Sequence, residues 1–232
     1  MDKVALVTAG SQGIGAACAR RLAKDGFKVA VLSRSEEAKK IAAEIEGIAW
    51  QGSVTSPSDL KDFAEAAIRT WNRIDVVINN TGHAARGELI ELTDNQWQEG
   101  FEIYFMNVIR MARFVTPVMQ HQGSGCIINI SSFVALEPSL EYPVSSAIRA
   151  ALANYVKLYS NRYAAHGIRM NNVLPGFVDS YPSDKEVIAM IPAHRQAKTS
   201  EVAGIVSFLA SEEASYINGE NIKIDGGLSR GF

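Results

Sequence analysis

The sequence predicts an α/β fold, a doubly wound parallel sheet of about seven strands with helices on both faces. Three observations predict it. Short apolar, β-branched runs alternate with longer amphipathic segments along the whole chain. The runs are continuously apolar rather than alternating, so both faces of each strand are covered, as in parallel sheets. The first run leads through a glycine-rich turn, "VTAGSQGIG", into the first amphipathic segment. With 232 residues, 47% of them hydrophobic, the chain is of ordinary size for one such domain, and 1–232 reads as a single unit.

The elements follow in order. Val4 to Thr8 reads as a buried strand and about Ile14 to Asp25 as a helix. Lys28 to Ser33 is the second strand, followed by a helix from about Glu36. A short third strand lies near Ile48 to Gln51, and Pro57 or Ser58 opens the next helix, because proline suits a first helical turn. Asp75 to Asn80 is the fourth strand, and a long helix runs from near Asn95 to Gln120. Gly125 to Ser132 is the fifth strand, followed by a helix from Tyr142 to about His166. Ile168 to Pro175 is the sixth strand. "EVAGIVSFLAS" is a helix, and Glu220 to Asp225 a last strand. The one long irregular piece is Phe177 to Lys198. A structureless segment of that length inside a compact domain is more often a functional lid than an idle connection.

Bulk properties exclude several classes. Charged residues make up 21% and the formal net charge is −2. Lys and Arg are scattered among acids, so no nucleic-acid footprint is present. Cys18 and Cys126 are too few for a disulfide framework, and a reduced, cytoplasmic setting is expected. No apolar run reaches membrane-spanning length and no signal peptide opens the chain. His83, His121 and His194 lack metal-ligand spacing and read as loop and surface residues.

In the glycine turn, Gly10, Gly13 and Gly15 let the backbone bend tightly and approach a pyrophosphate, which the exposed N–H groups of a helix N-terminus would hold. Its T-x-G-x-x-G-x-G spacing is longer than the common G-x-G-x-x-G and resembles the short-chain dehydrogenase/reductase family. "NNTG" (Asn79 to Gly82), Asn107 in "FMNV", "NISS" ending at Ser132, "PGFVDS" (Pro175 to Ser180) and the stretch from Ser200 to Gly227 are similar to the family's motifs, in family order. The resemblance covers essentially the whole chain. It implies a Rossmann-type dinucleotide fold. It also implies cofactor contacts from Gly10, Ser11, Gln12, Gly13, Ile14, Gly15, Ser33, Arg34, Ser53, Val54, Asn80, Thr81, Gly82, Tyr142, Pro175, Gly176 and Val178. Ala9, Thr81, Ser180 and Ser53 depart mildly from the family's usual residues.

The second strand ends "LSRS". Ser33 stands where a NAD site places an acid for the ribose hydroxyls, and Arg34 follows. An Arg there suits a 2′-phosphate, so NADP(H) is favoured over NAD(H). Alternatively, Arg34 is a loop cation paired with Glu36 or Glu37. Gln12 stands where NADP-preferring members often carry a second cation.

For the chemistry, the resemblance assigns Ser132 to orient a substrate carbonyl, Tyr142 to exchange its proton, and Asn107 to anchor a relaying water. Ser131 is the lesser candidate for the serine. The partner substrate would be a small carbonyl compound or its alcohol. Two departures stand out. The family's Tyr is followed four residues on by a Lys, and here Tyr142 is followed at that spacing by Ser146. The Lys supplies positive charge, worth about 4 kcal/mol at about 4 Å and an effective dielectric of about 20. Ser146 can bond a ribose hydroxyl but carries no charge. Arg149, on the same helical face as Tyr142 and about 4.5 Å further along the axis than the usual Lys, is a candidate replacement. It can equally pair with an acid or sit in a subunit contact. The second departure is that Ser132 precedes Tyr142 by ten residues, where the family has twelve or thirteen. Two further readings are open: a dinucleotide-binding protein with little turnover, and a non-redox lyase or dehalogenase-like enzyme, against which the intact glycine turn speaks. Self-association as a homotetramer or dimer, through the two long helices and the last strand, is implied by resemblance.

Overall fold

The structure, a computed structural model, describes residues 2–231. Seven strands form one parallel sheet: β1 (Val4–Thr8), β2 (Lys28–Ser33), β3 (Ile48–Gln51), β4 (Val76–Asn79), β5 (Gly125–Ile130), β6 (Ile168–Pro175) and β7 (Asn221–Ile224). Their spatial order is β3-β2-β1-β4-β5-β6-β7. The chain therefore winds outward in one direction from β1 to β3, then returns and winds the other way from β4. That reversal leaves a crevice at the C-terminal ends of β1 and β4, where ligands of such sheets bind.

Helices cover both faces, as the continuous apolar strands require. α1 (Gly13–Lys24), α2 (Glu37–Glu44) and α8 (Thr199–Ala210) lie on one face. α3 (Pro57–Trp71), α5 (Asn107–Gln122) and α6 (Pro143–Tyr163) lie on the other. Within β1 the period of two is plain: Ala5 and Val7 join the first core, Val4 and Leu6 the second. Each fully buried Leu, Ile or Val of these cores contributes about 1.5–3 kcal/mol relative to exposure.

Several boundaries differ from the sequence reading by a residue or two, and three differences have a local reason. The fifth strand stops at Ile130 rather than Ser132, because Ser132 turns to cap a short 3₁₀ turn at Phe133–Ala135. The sixth helix begins at Pro143, with Tyr142 as its cap residue, since proline fits the first turn. The long helix near Asn95 to Gln120 is not uniform: α4 (Asp94–Phe101) passes through a π-helical turn at Glu102–Met106 into α5. The segment 177–198 is also not the one long irregular piece. It carries a short helix, α7 (Lys185–Met190), and residues 80–93 form a second stretch without a regular element.

A row of asparagines crosses the sheet. Asn79 Nδ2 donates to Asn129 Oδ1 at 2.8 Å, Asn129 Nδ2 to Asn172 Oδ1 at 3.0 Å, and Asn172 Nδ2 to Asn221 Oδ1 at 2.8 Å. The four residues are direct cross-strand neighbours on β4, β5, β6 and β7. Among the described residues, no helix is long and apolar enough to cross a membrane.

Candidate active site

At the crevice, the turn from β1 to α1 is shaped by what its residues forbid. Gly13 has φ +52, a region that side chains disfavour. A Cβ on Gly15 would stand 2.4 Å from the Ala9 carbonyl oxygen and 2.7 Å from Asn80 Nδ2. Asn80 Nδ2 also donates to that Ala9 oxygen at 3.1 Å, and the Asn80 amide donates to Thr8 Oγ1 at 2.9 Å. The motif after β4 thus braces the turn after β1. Gln12, the cap residue of α1, makes no side-chain cap bond, so the helix presents its first N–H groups. Ser11 is held by Ser33 at the end of β2, Oγ to Oγ at 2.8 Å. Ile14 packs partly buried on the core beneath. A β1–α1 turn with free helix N–H groups fits a dinucleotide pyrophosphate.

Arg34 is exposed beside Ser33. Glu36 pairs with Lys39 at 2.8 Å and Glu37 with Lys40 at 2.7 Å, so neither acid neutralises it. Past β3, Ser53 donates its amide to Asp59 Oδ2 at 2.8 Å and shares a bond with Thr55. Val54 packs against the second core. Asn80 is buried, Thr81 half-buried and Gly82 open. On the far side, Pro175 ends β6, Gly176 donates its amide to Ile224 at 3.0 Å, and Val178 bridges to Ala197. A Cβ on Gly13 would lie 3.1 Å from Ser180 Cβ, so the root of the 177–198 segment rests on the glycine turn.

The head of α6 holds the remaining candidates. Ser132 Oγ accepts only a long 3.5 Å bond from the Val134 amide. Asn107 is buried at the start of α5, just past the π-helical turn, and its Oδ1 has no partner among the described residues, nor does Ser131 Oγ. π-helical turns often mark functional sites, since they redirect side chains without ending a helix. Tyr142 is half-buried, and the guanidinium lying over its ring, at 4.6 Å, belongs to Arg86. Ser146 faces elsewhere: its Oγ accepts from the Ser139 amide at 3.1 Å and donates to the Ser139 carbonyl at 3.4 Å. Tyr142 and Ser146 are therefore not brought together as a pair.

Arg149 is buried, and it neither meets an acid nor faces outward. Its Nε donates to Ser145 Oγ at 3.1 Å, its Nη1 to the Ile130 carbonyl at 2.9 Å, and its guanidinium stacks on Tyr104 at 4.0 Å. Burial pulls its pKa below the ordinary arginine value, and Tyr104 pushes it the other way. Tyr104, in the π-helical turn, accepts the Ala84 amide at 2.7 Å and so ties residues 80–93 to the same spot. His83 stacks edge-on against Tyr181 at 5.0 Å. Partial burial, then Arg149 and Arg86, hold its pKa below the usual value, leaving it neutral at pH 7.

The family described as Enoyl-(Acyl carrier protein) reductase matches residues 8–229. The chain is 32% identical over 236 residues to the 3-oxoacyl-[acyl-carrier-protein] reductase FabG of Salmonella typhimurium, covering 97% of each chain. It is 30% identical over 242 residues to FabG of Staphylococcus epidermidis, covering 98% of this chain and 99% of the other. The chain belongs to the short-chain dehydrogenase/reductase family. Solved structures of this family superpose closely. L-sorbose reductase from Gluconobacter frateurii, complexed with NADPH and L-sorbose, has a TM-score of 0.93 at 26% identity and covers 100% of this chain and 98% of its own. YwfH, an NADPH dependent reductase involved in bacilysin biosynthesis, has a TM-score of 0.94 at 27% identity, with 100% of both chains covered.

As a member of the short-chain dehydrogenase/reductase family the protein is an oxidoreductase acting on a carbonyl or alcohol carbon. Sequence reasoning did not single out Arg86, Tyr104 or Ser145; its reading of His83 as a loop and surface residue agrees with the exposed position found for it. Tyr104 sits in a helix that looked uniform, and Arg86 lies in residues 80–93, whose course no periodicity announces. Ser145 did carry a signal, its spacing from Arg149.

Proposed function

We propose that the protein is an NADP(H)-dependent oxidoreductase that interconverts a small carbonyl compound and its alcohol by hydride transfer. The observation that carries the cofactor choice is the end of β2. Ser33, not an acid, ends β2 where a ribose would lie and is tied to Ser11, while Arg34 beside it meets neither nearby glutamate. A 2′-phosphate would find a cation there and no competing charge. Two structurally similar reductases are described as NADPH proteins, which supports the same choice.

When bound, the reduced dinucleotide supplies hydride to the carbonyl carbon. The chain's own residues do the rest. The N–H groups of Gly10 to Gly15 and the α1 N-terminus would hold the pyrophosphate. Ser53 and Val54 would flank the adenine, Asn80, Thr81 and Gly82 the ribose end, and Pro175, Gly176 and Val178 the nicotinamide. Ser132 would orient the carbonyl oxygen, and the unpartnered Asn107 Oδ1 suits a water in a proton relay. A hydroxyl at the head of α6 would hand over the proton, the role that the family resemblance gives to Tyr142. The segment 177–198, with Tyr181 against His83, would cover the substrate. Dimer or tetramer formation through α5, α6 and β7 is in keeping with the strongly exposed Leu158 on α6.

The test is binding first and turnover second. NADPH fluorescence titration should give tighter binding than NADH, and NADPH oxidation should be seen with members of a panel of small ketones, aldehydes and diketones. Protein that binds neither dinucleotide would overturn the proposal.

A further inference from the structure

Arg149 is a buried cation whose hydrogen-bond partners are a serine hydroxyl and a backbone carbonyl. Desolvating a guanidinium is costly unless its charge is used or compensated. Two of its bonds fix its place. Through Nη1 it holds the carbonyl of Ile130, two residues before Ser132. Through Nε it holds Ser145 Oγ. One guanidinium therefore gathers Ser145 to the C-terminal edge of β5, beside the residue that would orient the carbonyl. Ser145 stands thirteen residues after Ser132 and four before Arg149. Those are the two intervals at which the family sets its proton-exchanging residue from its serine and from its cation. Measured from Tyr142 both intervals are off by three residues, and in the structure Tyr142 lies under Arg86 while Ser146 is closed onto Ser139.

We propose that Ser145 is the proton donor to the substrate oxygen and Arg149 the cation that positions it. This rests on the reductase reading above. Because Nε–H of Arg149 donates to Ser145 Oγ, the serine's own proton points away from Arg149, and among the described residues Ser145 Oγ donates to none. In reduction, a C–H bond forms at the carbonyl carbon from the hydride of the reduced nicotinamide dinucleotide, which leaves oxidised. The C=O π pair moves to oxygen, and the O–H bond of Ser145 breaks to protonate it. The serine oxygen keeps the bonding pair, is held by Arg149 Nε–H, and regains a proton from water. An alkoxide is a strong base, so a weakly acidic hydroxyl suffices as donor. In the reverse direction the same serine oxygen, held by Arg149 Nε–H, takes the proton back; the ratio of reduced to oxidised dinucleotide sets the net direction.

The first test needs neither substrate nor cofactor. In Ser145→Cys the new thiol should titrate at least one unit below the ordinary cysteine value of about 8.5, read as the pH dependence of alkylation by iodoacetamide. Cys18 and Cys126 stay silent, since burial pushes their thiols to about 12 and about 11. Adding Arg149→Gln should return the thiol to the ordinary value, and adding Arg149→Lys should retain the depression. A thiol at or above the ordinary value with Arg149 present overturns the pairing. The second test uses turnover of NADPH with the best carbonyl of the panel. Ser145→Ala should lower kcat at least about hundredfold, with NADPH affinity unchanged, a loss in the range of general acid catalysis. Tyr142→Phe should lose less. The reverse order would give proton transfer to the phenol and overturn the proposal. Wild-type protein that binds no NADPH would instead fail the reductase reading, with the thiol titration still deciding the pair.

Discussion

Arg34 and Arg149 are cations in opposite situations. Arg34 is exposed at the mouth of the crevice, where its charge is worth little until a phosphate arrives. Arg34→Glu should then weaken NADPH binding at least about tenfold, roughly 1.4 kcal/mol, and leave NADH nearly untouched. Equal losses for both dinucleotides in parallel titrations would refute the 2′-phosphate assignment. Gly15 works by absence of a side chain. Gly15→Ala forces a methyl against the Ala9 carbonyl, and a cost of about 1–3 kcal/mol in urea unfolding is expected, with loss of NADPH binding. At this scale the sequence was legible wherever identity sufficed: the glycines form the turn after β1, Ser33 and Arg34 stand at the end of β2, and Ser132 follows β5. It was not legible where geometry chose between neighbours. Ser145 and Ser146 are adjacent, identical residues; the four-residue spacing to Arg149 was a hint toward Ser145, and the hydrogen bonds decide that one faces Arg149 and the other Ser139.

Among the elements, the 177–198 segment is the one with a visible latch. Glu201, at the start of α8, binds Arg195 at 2.6 Å and accepts the Lys198 amide at 2.8 Å. The Arg195 bond, then the Lys198 amide, lower its pKa to about 2. Because the folded pKa is depressed, the stabilisation is complete above the ordinary carboxylate range. It is lost as pH falls from about 4 toward about 2. The protection factors of the Ala197 and Asp179 amides, which close the base of the segment, are exchange rates corrected for the intrinsic rate at each pH, and they should fall over that window. In Glu201→Gln the lower protection should be present already at pH 7, and protection factors unchanged from pH 5 to pH 2 in the wild type would refute the latch. The strands and most helices were legible because their periodicity is strong. The π-helical turn was not, since one extra residue in a turn leaves an apolar helical pattern almost unchanged, yet it carries Tyr104 against Arg149 and leads directly into the buried Asn107.

Across the whole molecule, order and register come from two sources. Apolar burial drives the sheet together, but a purely apolar strand slides easily. The asparagine row forbids sliding, because a one-residue slip would turn every amide to the other face. Asn129→Ala would strip Asn79 Nδ2 of its acceptor and Asn172 Oδ1 of its donor, both buried. A loss of about 2–5 kcal/mol is expected in urea unfolding, whereas a surface change such as Lys61→Ala should cost under about 0.5 kcal/mol. Equal losses would mean that the row does no more than fill space. The four asparagines lie within four of the strands predicted from the sequence, yet nothing in a linear reading aligns them; only the register does. The same row has a consequence for the birth of the chain. β4, β5 and β6 leave the ribosome well before β7, so through that interval Asn172 holds out an amide that nothing answers. A nascent chain interrupted ahead of Asn221 would own almost every core residue and still have an open margin on β6, the margin most prone to capture by a neighbouring unfinished chain.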